Sequence, residues 1–473
     1  MISPITNELT QAKQLMNESK FREAINILNR IEDKKSLSIQ DQFELHYLKS
    51  SLFLELGYME KALKFVKIAY KESKILSNEF QTIDVLFTEC KILAKSDKQN
   101  EALKVIRKTE RLLNTIPQTS TIKFKQRKAV LLLIKGGVCF NIGELNSSLE
   151  YAAKGLTIAE EIDNKKLIML GNKALSFSYY LKGNIEQSHE HTKNTLALAK
   201  ELNDKQEMIG AYNGFGMYFT DKGDYEQALD YLEQSLSLCY EIESFKTIVV
   251  LGSLFDVYLQ TNSFEKAQNC LNKMKQFLDA HIEFKASSAF YHIASAVMLI
   301  KNPENVNYLK AKEILKQIVD EENPFSELYY LALIYLCDIC LSILCKTNDL
   351  QTLDEIYPYI TQLKNIAKTQ QSFWLLIETY ILQAKLNLIK FDFRKARNLL
   401  SNALDISKKY GQERLFTQIL NEQEELSKNF IKWEKLKVTG ADISERMELA
   451  RIDEQIESII QKRKYLKIFQ SKR

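Results

Sequence analysis

The sequence predicts an all-α solenoid of about ten helix-turn-helix units, and three observations carry that prediction. A small residue, usually alanine, returns about every forty positions inside a recurrent phrase of Gly or Asn, a bulky residue, a polar residue and then the small one. The phrase reads Phe21-Arg-Glu-Ala24, Gly57-Tyr-Met-Glu-Lys-Ala62, Gly143-Glu-Leu-Asn-Ser-Ser148, Gly183-Asn-Ile-Glu-Gln-Ser188, Gly223-Asp-Tyr-Glu-Gln-Ala228, Asn262-Ser-Phe-Glu-Lys-Ala267 and Phe393-Arg-Lys-Ala396. The composition, 45% hydrophobic and 27% charged with only 5 prolines and 14 glycines, suits packed helices and opposes both disorder and a β-rich fold. No Gly/Pro/Ser-rich linker divides the 473 residues, so one core would be unusual and a stacked array is the better solution.

Taken as a register, the small residues are Ala24, Ala62, Ala102, Ser148, Ser188, Ala228, Ala267, Ala311, a degenerate site near Thr352, and Ala396, a mean spacing of about 41. Between them the chain reads helix, short turn, helix. The linkers repeat as well, Ala159-Glu-Glu-Ile-Asp-Asn-Lys165 returning as Ala199-Lys-Glu-Leu-Asn-Asp-Lys205, and their Asp/Asn pairs stop one helix and help cap the next. A second small residue stands twelve positions earlier in several units: Ser50 before Ala62, Gly136 before Ser148, Ser176 before Ser188, Gly216 before Ala228 and Ala384 before Ala396. Such pairs let two antiparallel helices approach closely where they cross.

The unit from Tyr212 to Ser235 is the clearest. Tyr212, Phe215, Gly216, Phe219, Gly223, Tyr225, Ala228, Leu232 and Ser235 resemble, in order and spacing, the tetratricopeptide-repeat (TPR) pattern. The period exceeds the usual 34 or so by about six residues, which resembles the long-repeat members, kinesin light chain and the Pins-type polarity adaptors. The resemblance implies a right-handed superhelix whose first helices line a concave groove that binds a peptide segment of a partner protein. Those families carry asparagines beside the small residue of the first helix, where this chain has Gly214 and Met217, and Ser253 in the next unit, so their groove chemistry does not transfer. With the register applied, the candidate groove contacts are Lys173, Phe177 and Tyr180; Asn213, Met217 and Thr220; and Asp256 and Gln260. Aromatic, amide and charged groups together suit an extended peptide.

Three places strain the array. Asn114 to Thr121 and Lys301 to Asn305 are expected as lengthened loops, and Pro358 is expected to kink or break the second helix of the ninth unit. The array is expected to span residues 1–412, followed by a polar capping helix and break over 413–440 and a charged terminal helix with a basic tail over 441–473. A polar helix should run from Glu413 to Lys437, Thr439-Gly440 should break it, and Asp442 to Glu445 should form a capping box. The stripe Ile452, Ile456, Ile459 and Ile460 is expected to cover the last repeat. The alternatives are a short coiled coil that makes a homodimer and a basic amphipathic helix that meets a membrane or an acidic partner.

The sequence excludes more chemistry than it offers. It has no Walker-type loop, nucleophile elbow, HExxH or EF-hand loop, and we expect a non-enzyme with no cofactor and no metal. Cys337 and Cys340 form a CxxC inside an apolar helical run without a second pair, which reads as buried structural thiols. His189 and His191 are expected at the surface, two positions apart and facing differently. The net charge is +4, but residues 462 to 473 carry six Lys/Arg and no acid, so the body stands at −2 and shows no basic stripe for nucleic acid. Nucleic-acid or membrane association would then come from the tail. The N-terminus has neither a basic n-region nor an apolar h-region, so a cytoplasmic protein is expected. The run from Leu328 to Cys345, interrupted by Asp338, is expected as a buried helix of the array rather than a membrane span. The primary expectation is a scaffold or adaptor that binds a partner's peptide segment, and the second is a regulatory sensor whose superhelix changes pitch on binding.

Overall fold

The structure, a computed structural model, describes residues 4–459 apart from 19, 35–36, 97, 118–120, 143, 183, 243, 245, 281–287, 305, 322–326, 370–371 and 411–412. Twenty helices pair into ten units: α1 Pro4–Asn17 with α2 Phe21–Glu32, α3 Ile39–Glu55 with α4 Met59–Ile75, α5 Glu79–Lys95 with α6 Gln99–Thr115, α7 Ile122–Asn141 with α8 Leu145–Glu161, α9 Lys165–Lys182 with α10 Ile185–Glu201, α11 Lys205–Lys222 with α12 Tyr225–Glu241, α13 Thr247–Gln260 with α14 Phe264–Ala280, α15 Ser288–Lys301 with α16 Tyr308–Glu321, α17 Glu327–Thr347 with α18 Thr352–Thr369, and α19 Phe373–Ile389 with α20 Phe393–Lys409. Each helix packs on its partner and on the next unit, which makes an all-α helical-repeat solenoid.

The register marks the crossings. Ala24, Ala62, Ala102, Ala228, Ala267, Ala311 and Ala396 have no exposed surface. A Cβ added to Gly216 would lie 3.2 Å from the Ala228 carbonyl oxygen and 2.5 Å from Leu232 Cγ, and one added to Gly136 would lie 3.1 Å from the Ser148 carbonyl oxygen. At the latter crossing Ser148 donates its hydroxyl to the Gly136 carbonyl at 2.8 Å, so the small polar residue is satisfied where an alanine would otherwise stand.

The repeated linkers work as a ladder. Asp163 and Asn203 take left-handed conformations, φ +49° and +50°, that close one helix. Their neighbours then cap the next, Asn164 accepting from the Leu167 amide and Asp204 from the Glu207 amide, both at 3.1 Å. The forty-residue period returns in ion pairs, Lys125 with Glu161 at 3.1 Å, Lys165 with Glu201, and Lys205 with Glu241 at 2.5 Å. These pairs lie at the surface, where solvent screens them, so they add little to stability.

Several expectations are corrected. Pro358 does not break its helix, which runs from Thr352 to Thr369: the proline sits on the exposed face, where water can serve the carbonyl that loses its amide donor. The expected single helix from Glu413 to Lys437 is two, α21 Glu413–Lys428 and α22 Phe430–Thr439, parted at Asn429. Gly440 then ends α22 at φ +65°. The Asp442 side chain makes no cap for α23, Ile443–Ala450. Asn348, just past α17, does so instead: its Oδ1 accepts from the Ile443 amide at 2.7 Å and its Nδ2 donates to Asp442 at 2.9 Å. A last helical stretch covers residues 452–459. The loop of the eighth unit falls between α15 and α16 with Asn305 outside the described residues, and that of the fourth falls between α6 and α7 with 118–120 likewise outside. Ile460 and the basic tail over 462–473 also lie outside them.

Among the described residues α17 is the helix long and apolar enough to cross a membrane, and most of its side chains are buried inside the array. Cys337 and Cys340 are fully buried within it, as expected of structural thiols. Burial drives the Cys337 thiol well up and pushes Cys340 up to about 11.

Candidate functional site

The inner face of the solenoid divides into an open part and a filled part. The open part is a cavity of about 1410 Å³ bounded by α3, α5, α7 and α9, with the starts of α11 and α13 at one end and the α1–α2 turn at the other. The register explains its lining. The position after the small residue of each first helix faces it in four successive units, as Ser51, Lys91, Gly137 and Phe177. Apolar side chains from α7 and α9, among them Val130, Leu133, Ile134 and Leu170, make one wall.

The charged groups of this cavity are unusual. Lys91 and Lys95 stand one turn apart on α5, with Lys166 and Lys173 on α9, Lys246 before α13, and Glu55 at the end of α3. Lys173 is buried and pairs with Glu207 at 2.8 Å. Lys246 is buried and donates to the Gln206 carbonyl at 2.7 Å. Burial lowers the Lys91 and Lys246 pKa values and takes Lys95 down to about 8; Glu55 opposes the shift most at Lys91 and Lys95 and Glu207 at Lys246, while neighbouring lysines deepen it.

Of the eight groove positions read from the register, Lys173 and Phe177 line this cavity. Tyr180 and Met217 lie farther along and line a small pocket with His189 and Tyr218. Asn213 is buried, its amide 3.5 Å from the Met217 sulfur, and Thr220 donates its hydroxyl to the Gly216 carbonyl at 2.7 Å. Asp256 is half-buried, and Gln260 is exposed and accepts from the Tyr225 hydroxyl at 3.4 Å. The histidines expected at the surface are half-buried instead. His189 stacks on Tyr218 at 4.1 Å and His191 on Tyr179 at 5.5 Å while bonding Asn172 at 2.9 Å, because the aromatic residues of the neighbouring first helices fold over them.

The filled part is occupied by the chain itself. α23 packs on α17 and α19, first helices of the ninth and tenth units. Ile443, Met447, Ile452, Ile456 and Ile459 are buried there. Buried polar groups fix the fit: Gln455 donates to Glu378 of α19 at 2.6 Å, and Lys385 donates to Glu422 at 2.9 Å and to the Ala450 carbonyl at 2.6 Å. Lys301 at the end of α15 meets Glu457 at 3.4 Å. α21 touches α9, and the Phe373 amide donates to the Ile142 carbonyl at 3.3 Å, so the late units close onto the middle ones. The residues that sequence reasoning missed are Lys91, Lys95, Lys166 and Lys246. The same register, carried back to the third unit, finds Lys91 at the position of Phe177.

Fold and cavity together define a helical-repeat solenoid with an inner groove, and comparisons with known proteins agree on the fold. No family model matches the chain, and no curated protein does. Among solved structures, a Rap protein complexed with competence and sporulation factor is similar over 77% of this chain and 98% of its own, at 15% identity and a TM-score of 0.52. The apo form of RapI aligns over 78% and 99% at 14% identity and a TM-score of 0.48. Aspartyl phosphate phosphatase F from Bacillus subtilis aligns over 79% and 96% at 10% identity and a TM-score of 0.46. The likeness is one of fold, that of a helical-repeat solenoid.

Proposed function

We propose that this protein is a non-enzymatic cytoplasmic scaffold that receives an extended peptide segment of a partner protein in its inner groove. The observation that carries the reading is the open cavity of about 1410 Å³ built by first helices of consecutive units and lined by both apolar and charged side chains. The Rap protein of like fold holds competence and sporulation factor, which supports the same use of the architecture. Lys173 and Phe177 are the register positions that this reading sets against the ligand. Kinship with the long-repeat adaptors of the kinesin light chain and Pins type belongs to the same proposal. Its test is a photo-crosslinking amino acid at Leu170 in the groove, compared with one at Glu150 on the outside. Peptide adducts specific to Leu170 are expected; equal labelling from both sites, or adducts to small metabolites alone, would sink the scaffold.

A second reading, a peptide-responsive regulator, is favoured by the chain's own occupation of the far end of the inner face. A ligand in the open part would bear on α9, which touches α21, and so reach the terminal helices. Hydrogen exchange over residues 443–459 should change when peptide is added. Identical protection with and without it removes the regulator.

A further inference from the structure

We propose that the open groove selects an acidic peptide segment, whose carboxylates sit among Lys91 and Lys95 of α5, Lys166 of α9 and Lys246 before α13. The inference rests on the reading of the groove as a peptide receiver and adds the chemistry of what is received.

Charge is the first argument. Among the described residues nine Lys/Arg line the cavity against six Asp/Glu, although the body of the chain carries a net negative charge. The acids are largely engaged: Glu18 with Lys20 at 2.8 Å, Glu207 with Lys173 at 2.8 Å, Glu241 with Lys205 at 2.5 Å, and Asp204 in the cap of α11. Among the described residues no carboxylate lies within ion-pair distance of Lys91, Lys95 or Lys166, and Glu55 is the acid that most opposes the repulsion at Lys91 and Lys95. Lysines that outnumber the acids inside a concave wall repel one another, and the field they make there is focused rather than dispersed. An anion that enters relieves that repulsion.

Shape is the second. Lys91, Lys95 and Lys166 line the same cavity as the aliphatic side chains of Val130, Leu133, Ile134 and Leu170, with Leu170 one turn from Lys166 on α9, so the groove matches a segment that carries both acidic and apolar side chains. A nucleic-acid strand fits less well, because the aliphatic side chains of Val130, Leu133, Ile134 and Leu170 offer its regularly spaced phosphates no partner.

The test is selection of a random displayed peptide library on the full-length protein, followed by fluorescence anisotropy with the selected peptides. Enrichment in Asp and Glu is expected. The double variant Lys91→Gln/Lys95→Gln should weaken those peptides about tenfold or more and reduce the salt dependence, whereas Lys154→Gln on the exposed face of α8 should leave binding unchanged. Should the double variant melt differently from the parent, Lys166→Gln, an exposed position, is read in its place, with a loss of about threefold expected. Peptides that bind in the groove without acidic enrichment overturn the acidic class and leave the peptide reading standing. Recovery of no peptide, with single-stranded DNA binding in a Lys91-dependent way, overturns both.

Discussion

Gly216 shows how little room a helix crossing leaves. A methyl group there would meet Leu232 Cγ and Cδ2 at 2.5 and 2.6 Å and the Ala228 carbonyl oxygen at 3.2 Å. Gly216→Ala should therefore destabilise the protein by about 1–3 kcal/mol despite its better helix propensity, measurable as a lower urea midpoint. Asp338 is a different case. Burial raises its carboxyl to about 6, with Glu457 and Asp453 of the terminal stretch adding repulsion and Lys301 opposing it. The folded state thus keeps a proton that the unfolded chain releases near pH 4, and stability falls as pH rises from about 4 to about 6. Asp338→Asn should raise the melting temperature at pH 7.5 and not at pH 4, narrowing the pH dependence of thermal unfolding. Small residues at crossings were legible in the sequence because their period is local. The lysines of the groove were legible only in part, because the register names Lys91 alone, while Lys95 and Lys166 lie at least one turn from the register position of their helices and Lys246 precedes α13.

The helices themselves follow from capping and periodicity, and the ten pairs fall where the returning small residue puts them. What failed was the assignment of caps to neighbours in sequence. Asn348 caps α23 from the end of α17, a partnership no local pattern encodes. Asn348→Ala should cost about 1 kcal/mol and speed hydrogen exchange of the first amides of α23 while α19 and α20 stay protected. Retained protection at Ile443 would show that packing alone holds the helix. The unbroken α18 teaches the complementary lesson, that a proline on an exposed face removes a bond that water replaces. The split at Asn429 was hidden because a polar sequence of good helix formers reads the same whether it makes one helix or two.

Across the molecule, the sequence carried the array and a terminal stripe that covers the last repeat, but not the reach of the terminal helices to α17 of the ninth unit. Burial of Ile452, Ile456 and Ile459 depends on faces of α17 and α19 that the chain builds more than sixty residues earlier. Removing residues 440–473 should uncover those faces, leave Glu378 without Gln455, and lower the melting temperature by several degrees, since about 1–3 kcal/mol attaches to each large apolar side chain uncovered. An unchanged melting curve would mean that the terminal helices rest on the array without stabilising it. The contact between α9 and α21, with the hydrogen bond from Phe373 to Ile142, has a consequence of its own. A line of repeats in which each leans only on the next can peel from either end, one unit at a time, like a zipper. Clasped between residues 142 and 373, this chain cannot peel past the clasp without opening it, so its middle units should melt together in one sharp transition.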